Sequence, residues 1–399
     1  MWSKASKLSI DPVLRLFKYH FRSVLVRWRS TLATVLGLAL VIAVFVLVQS
    51  LAVGIEKSSA STGDPRNFLI VRQGALAETT SVVTREQFNI LRYQTGVARD
   101  ESGTPIASAD ALVIINLPRR NGAGSANTIL RGIGRFGPEL RPQVHLVAGR
   151  WFQPGHREVV ASRRLAARFA HLQIGETFRT GGVDLTVVGL FDGAGTAFDS
   201  EIWLDADEAR DAFDRPDYSS VLVRLENAEQ AAGLKAQLER ERRLKMKVIR
   251  EVDYYKEQTR TAGPIRVLGD FLAVVMSIGA MFAAMNTLYA SIGARTREIG
   301  TLRVLGFRRR SILLGFLLEG AMLSAIGGAL GCVFALPMHG YSTGTLGWET
   351  FSETVFDFRI TPILALKGIS FAITVGLLGS LLPALRASRL PVISALKSI

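Results

Sequence analysis

Four stretches of the chain are apolar for longer than the core of a soluble protein requires. No charge falls between Arg29 and Glu56 or between Asp270 and Arg295. Between Ser311 and Met338 the only charge is Glu319, and between Ile360 and Leu385 it is Lys367. A hydrocarbon core of ~30 Å is crossed by about 20 helical residues. The pattern therefore predicts spans over residues 32–53, 271–292, 312–336 and 363–382. The first run is long for the apolar part of a cleaved leader, and no small-residue cleavage site follows it cleanly, so it reads as a retained anchor. Lys367 lies near one end of its span and can snorkel to the interface.

Residues 54–270, between the first two spans, show a different pattern. Short apolar runs predict strands at 68–71, 112–117, 144–147, 158–161, 201–204, 220–225 and 245–249. Runs at 178–180 and 183–190 flank Gly181-Gly182, the signal for a tight hairpin. Residues 163–169, 206–213 and 228–242 read as helices. Gly132-x-Gly134 and Asn121–Gly124 read as loops. The segment is long enough for its own core and for two subdomains. The expected fold class is thus membrane α-helical, with four transmembrane helices, plus an α+β extracytoplasmic domain between the first and second helices.

Before the first span, Leu14, Phe17, Phe21, Val24 and Trp28 recur at alternating three- and four-residue spacing. Arg15, Lys18, Arg22 and Arg29 lie mostly off that stripe. Residues 11–29 thus predict an amphipathic helix on the membrane surface, or one packed on a partner protein.

The net charge of +14 raises the question of nucleic acid. Its location answers it. Residues 1–31 carry seven basic groups and one acid, the 293–311 loop six arginines and one acid, and the 383–399 tail three basic groups and no acid. These three segments account for the whole excess. The 337–362 loop carries Glu349, Glu353 and Asp357 against Arg359. Basic flanks stay in the cytoplasm, so both termini and 293–311 are expected inside, and 54–270 and 337–362 outside. The basic excess is a topology signal and no nucleic-acid partner is expected.

Chemistry is sparse. Cys332 is the only cysteine and sits in an apolar run, which excludes an intrachain disulfide and a thiolate metal cluster. The five histidines lack zinc spacing. No GxSxG or GxxxxGK[ST] motif occurs. No catalytic, cofactor or metal residues are expected, and if ATP drives this protein the ATPase, with its ATP and Mg, is another polypeptide.

The stretch 286–331, NTLYASIGARTREIGTLRVLGFRRRSILLGFLLEGAMLSAIGGALG, resembles the signature of the FtsX/MacB family of ABC transporter permeases. Its matching positions are Asn286, Arg295, Arg297, Glu298, Ile299, Gly300, Arg303, Gly306, Glu319, Gly327, Gly328 and Gly331. The tail LPALRASRLPVISAL resembles the family's ending at Pro383, Ala384, Ala387, Ser388, Pro391, Ala395 and Leu396, so the permease region would run over about 271–396. RWRSTLATVLGLAL resembles the family's first span; GRWF, EVVASRRLAARF and LTVVGLF resemble parts of the MacB-like periplasmic domain, which is not a close copy.

The resemblance implies a permease in the inner membrane, working as a homodimer or beside a related permease on two cytoplasmic ATPase subunits. A periplasmic membrane-fusion adaptor is a further candidate partner. Residues 297–310 would form a short helix docked on the ATPase, with Ile299, Leu302 and Leu305 as its apolar edge and Arg297, Glu298 and Arg303 as its charges. Gly300 and Gly306 would allow close approach and a helix end. Without the resemblance the segment reads first as a plain basic loop. Glu319 is costly inside lipid and should pair with a neighbouring helix or be protonated; a packing residue near a dimer seam is the other reading. Gly327-x-x-x-Gly331 permits close helix contact.

The leading function is export or extraction of a drug, toxin, lipid, lipoprotein or haem, coupled mechanically to ATP hydrolysis. The second is a non-transporting regulator of a cell-wall hydrolase. An ion channel or secondary transporter fits poorly, because four spans with two charges offer little polar pathway.

Overall fold

The structure is a computed structural model describing residues 28–391 except 123, 242–243, 259–261 and 347–351. Nearly all of the amphipathic helix expected over 11–29 lies outside the described residues, as do Ala395 and Leu396.

Along the chain come α1 (Trp28–Ala60), β1 (Asn67–Arg72), α2 (Arg85–Leu91), β2 (Ala107–Pro118), β3 (Ser125–Ile133), α3 (Gly137–Leu140), β4 (His145–Gly149) and β5 (Glu158–Ser162). Then follow α4 (Arg163–Arg168), β6 (Thr177–Thr180), β7 (Val183–Asp192), β8 (Glu201–Asp205), α5 (Ala206–Ala212), β9 (Ser220–Arg224), α6 (Ala231–Arg240) and β10 (Met246–Arg250). The last part holds α7 (Glu251–Gln258), α8 (Ala262–Ala294), α9 (Thr296–Val304), α10 (Arg309–Ala335), β11 (Ser342–Leu346), β12 (Glu353–Asp357) and α11 (Pro362–Ser388). Two compact units result: 52–264 with 340–358, and the remainder.

In the helical unit, α1, α8, α10 and α11 are long and apolar enough to cross a membrane. They extend beyond the uncharged windows, because a helix need not stop where its apolar run does. Small residues set the packing. At Gly327 and Gly331 an added Cβ would press on Val35, Leu38, Ala39 and Ile42 of α1; at Gly328 it would meet Ile369 and Ala372 of α11. The Gly327-x-x-x-Gly331 face is therefore used within the chain, between α10 and α1. Ile42, Val46, Cys332, Ala335, Leu364 and Ala372 fill the space between these three helices.

In the sheet unit ten strands lie in the order β10-β1-β9-β2-β3-β8-β5-β7-β4, with β6 paired to β7. Strand β2 joins two halves: its residues 107–110 pair with β9, and 111–118 with β3. Local signals explain many boundaries. Thr84 and Gln87 form a capping box at α2, Ser162 caps α4 and Asp205 caps α5. Gly181 and Gly182 both take positive φ in the β6–β7 turn, as expected. Strand β3 differs from expectation, since Gly132 lies in it and not in a loop. A Cβ there would strike Ala206 and Ala209, so the glycine lets α5 pack on the strand.

The centre of this unit is polar. Arg131, 1% exposed, donates to Glu78 (3.1 and 3.2 Å), Asp110 (3.2 Å), Glu201 (2.7 and 2.8 Å) and Tyr255 Oη (3.3 Å). Arg141 donates to Asp110 and lies over the rings of Phe198 and Trp203. Glu251 Oε2 accepts from the Asp64 N–H at 3.0 Å and Asn67 Nδ2 at 2.9 Å. Two guanidinium groups thus pair with three buried carboxyls, Glu78, Asp110 and Glu201, and the fourth, Glu251, is held by amide donors. Burial raises the Glu251 carboxyl above its ordinary range, with nearby Glu78 adding to the effect and Arg141 opposing it.

Two outcomes follow for unfolding of the detergent-solubilised protein. Arg131→Ala leaves Glu78 and Glu201 buried without their cation and Asp110 with Arg141 alone, and is expected to cost about 3–5 kcal/mol, read by chaotrope titration. A carboxyl raised in the folded state stabilises below its unfolded value near 4.3 and loses that contribution as pH rises through the folded value. Glu251→Gln should therefore gain stability at neutral pH relative to the parent and lose that gain at about pH 4, read by the same titration at both pH values.

Candidate coupling site

Helix α8 ends at Ala294 and the chain turns at Arg295 into α9. Arg295 is 5% exposed. Its Nη1 lies 3.6 Å from Glu319 Oε2 on α10, and its Nε lies 3.5 Å from Glu298 Oε2. Glu319, 6% exposed, thus meets a cation from the turn between α8 and α9. These are ion-pair distances, longer than hydrogen bonds.

Ile299 is buried one turn further on, in a cluster with Leu288 and Ile292 of α8, Ile312 and Phe316 of α10, and Ala384 and Ala387 of α11. Gly300 is buried beside it. Leu302 and Arg303 are half-buried, and Arg297 and Glu298 are exposed. Val304 and Leu305 stand 63% and 71% exposed.

The helix is shorter than the 297–310 expected. Gly306 takes φ +93°; its N–H bonds to Arg303 C=O at 3.2 Å, and the Phe307 N–H to Leu302 C=O at 3.1 Å. This pair of bonds is a glycine-terminated helix end, and Arg309 and Arg310 already belong to α10. The apolar edge is accordingly divided: Ile299 points into the bundle and Leu305 away from it.

Of the other expected residues, Asn286 lies on an exposed face of α8. Pro383 and Ala387 are buried in α11, Ala387 within the Ile299 cluster, and Pro391 is exposed. The reading missed that Arg295 is the partner of Glu319, and that Ala384 and Ala387 leave room for Ile299. Signals existed: one acid in an otherwise uncharged span following an arginine at the previous span's end, and alanines three residues apart. Among the described residues no group of His, Cys, Asp and Glu is arranged to hold a metal ion.

A helical bundle that carries a short helix fixed by one buried edge, with an α+β domain inserted after the first apolar helix, defines a membrane protein of permease type. The family model of the MacB-like periplasmic core domain matches residues 30–241, and that of the FtsX-like permease C-terminal region matches 271–392. The chain belongs to the MacB-like, FtsX-like family of ABC transporter permeases. The macrolide export ATP-binding/permease protein MacB of Brucella abortus is 36% identical over 131 residues, 33% of this chain and 19% of that protein. MacB of Hahella chejuensis is 26% identical over 56% of this chain and 35% of its own length. The pyoverdine export ATP-binding/permease protein PvdT of Pseudomonas syringae pv. tomato is 33% identical over 33% of this chain and 19% of that protein. The alignments thus span about a third or less of these relatives. Among solved structures, the periplasmic region of MacB from Actinobacillus actinomycetemcomitans covers 50% of this chain and 94% of its own, at 15% identity and a TM-score of 0.37. The extracellular domain of YknZ from Gram-positive bacteria covers 46% of this chain and 99% of its own, at 19% identity and a TM-score of 0.36.

Removing Glu319 alone takes a buried carboxylate away from the buried guanidinium of Arg295. Glu319→Ala is expected to cost about 3 kcal/mol, and Glu319→Ala with Arg295→Met less than the single change. Unfolding of the detergent-solubilised protein in a double-mutant cycle measures the difference.

Proposed function

We propose that this chain is the permease subunit of an ABC transporter in the inner membrane, and that it transmits ATP-driven movement to an outer domain that exports or extracts a substrate. Helix α9 supports this most directly. One of its edges, Ile299 and Gly300, is locked into the bundle, while the other presents Val304 and Leu305 to solvent. A helix so held cannot move without moving α8, α10 and α11, and its free edge suits docking on a partner. Arg297, Glu298 and Arg303 would register that partner, a dimer of cytoplasmic ATP-binding subunits that use ATP and Mg.

The basic flanks at 1–31, 293–311 and 383–399 support a reading with α9 and both termini in the cytoplasm and the sheet domain outside. The MacB-like match over 30–241 favours a transporter over a regulator of a cell-wall hydrolase. A second permease copy and a periplasmic adaptor complete the assembly proposed. The relatives named for macrolide and pyoverdine export support export as the direction of transport.

Leu305→Asp places a charge in the proposed docking edge without touching the buried one. It is expected to lower recovery of the ATP-binding subunit with the detergent-solubilised permease by about tenfold or more, the effect of losing one anchor residue, with insertion unchanged. Unchanged recovery would remove α9 as the dock. Reporter fusions at 293–311 should behave as cytoplasmic; an external signal there would reverse the proposed orientation.

A further inference from the structure

The chain between α10 and α11 was expected to be a short periplasmic loop. It forms the β11–β12 hairpin, closed at its neck by Gly340 N–H to Phe358 C=O at 2.9 Å and Phe358 N–H to Tyr341 C=O at 3.1 Å. The hairpin joins no strand of the ten-stranded sheet, yet it is fastened to the sheet unit by buried side chains. Glu353, 4% exposed at its side chain, receives both Arg119 and Arg168. Asp357 receives Arg164 Nη1 at 2.6 Å and Ser342 Oγ at 2.7 Å. The Val355 N–H donates to Ser200 Oγ at 2.7 Å, and the Val355 side chain completes the apolar cluster that holds Leu117, Leu165 and Phe169.

These groups are arranged as a grip. Arg164 and Arg168 lie four residues apart on α4 and so project from one face. Arg164 is itself steadied by Asp199 at 3.2 Å, whose carboxylate accepts the Gly193 and Gly195 N–H groups at 2.7 and 2.8 Å. On the other side Gly54 of α1 leaves no room for a Cβ against the Asp357 carbonyl. Lifting the hairpin would strand two arginines and a serine hydroxyl in a partly dry site and open the pocket of Val355. A connection meant only to join two helices needs none of this.

We propose that the β11–β12 hairpin is a strut that delivers movement of α10 and α11 to the outer domain, with Glu353 as the positioning residue that keeps it docked. The domain's other chain connections are α1, which leads into β1, and α7, which leads to α8. With the strut, all four membrane helices connect to the domain. The inference rests on the reading of the chain as an ATP-driven permease and adds the route that the movement takes.

The test uses the full chain purified with its ATP-binding subunit, compared by hydrogen–deuterium exchange with and without ATP and vanadate. In the parent, exchange should change both in α9 and across strands β1–β10. In Glu353→Gln the α9 response should persist, the strand response should fall at least about threefold, and basal exchange of 353–357 should rise. Glu353→Asp keeps the charge and should retain most of the strand response. Ser200→Ala removes one hydrogen bond and no charge, and should give a smaller loss in the same direction if Glu353→Gln fails to accumulate. A full strand response in Glu353→Gln, or in Ser200→Ala where that variant stands in, overturns the strut. So does equal loss in the Gln and Asp variants, which would mean the site is merely structural. No nucleotide response of α9 in the parent would instead remove the permease reading itself.

Discussion

A charge placed between membrane helices has to be compensated where it stands, and the pairing of Glu319 with Arg295 determines how α9 leaves the bundle. An unpaired carboxylate or guanidinium at that depth would cost several kcal/mol. Arg295 sits at the turn between α8 and α9, so holding its side chain against α10 also holds the turn. Ile299, one turn later, then falls into the space that Ala384 and Ala387 leave open, where larger side chains would have filled it. The direction of α9 follows from these two anchors, and Gly306 ends the helix before its exposed edge turns back toward the bundle.

The sheet unit solves a related problem on the other side of the chain's polarity scale. Its interior holds Arg131 and Arg141 among four carboxyls, beside the apolar cluster of Phe198 and Trp203. Buried ion pairs contribute little net stability, but they tolerate few alternative geometries. The network draws on the segment after α1 through Asp64 and Asn67, on β2, β3 and β8, and on α7 through Glu251 and Tyr255. Two of the places where the chain enters and leaves the domain, after α1 and at α7, are thereby tied to one set of hydrogen bonds.

Much of this was legible in the sequence, for identifiable reasons. Uninterrupted apolar runs of 20 or more residues have one physical solution in lipid, so the four long helices were readable. Alternation and the Gly181-Gly182 turn marked the strands, since both are local signals. Strand β3 was hidden because Gly132 serves a helix contact that only the fold creates. The β11–β12 hairpin was hidden because Glu353 and Asp357 look like solvated acids until their arginines, nearly 200 residues away in the chain, are brought to them. The partner of Glu319 was hidden for the same reason: opposite charges can be counted in a sequence, but their distance cannot.

The parts that were hidden share one property, and it bears on how such a protein could transmit force. Each joins separate elements through contacts that work at only one separation: a glycine against a helix, or a carboxylate against one or two guanidinium groups. Apolar side chains alone can slide and repack at modest cost, so an interface made only of them transmits displacement poorly. Gly331 against Ala39 and Ile42 cannot slide without a clash or a void. Glu353 cannot shift without leaving Arg119 or Arg168 behind. Where both kinds of contact hold, neighbouring elements move together. Compliance is then left to exposed turns such as the one at Gly306, which carries the chain from α9 to α10.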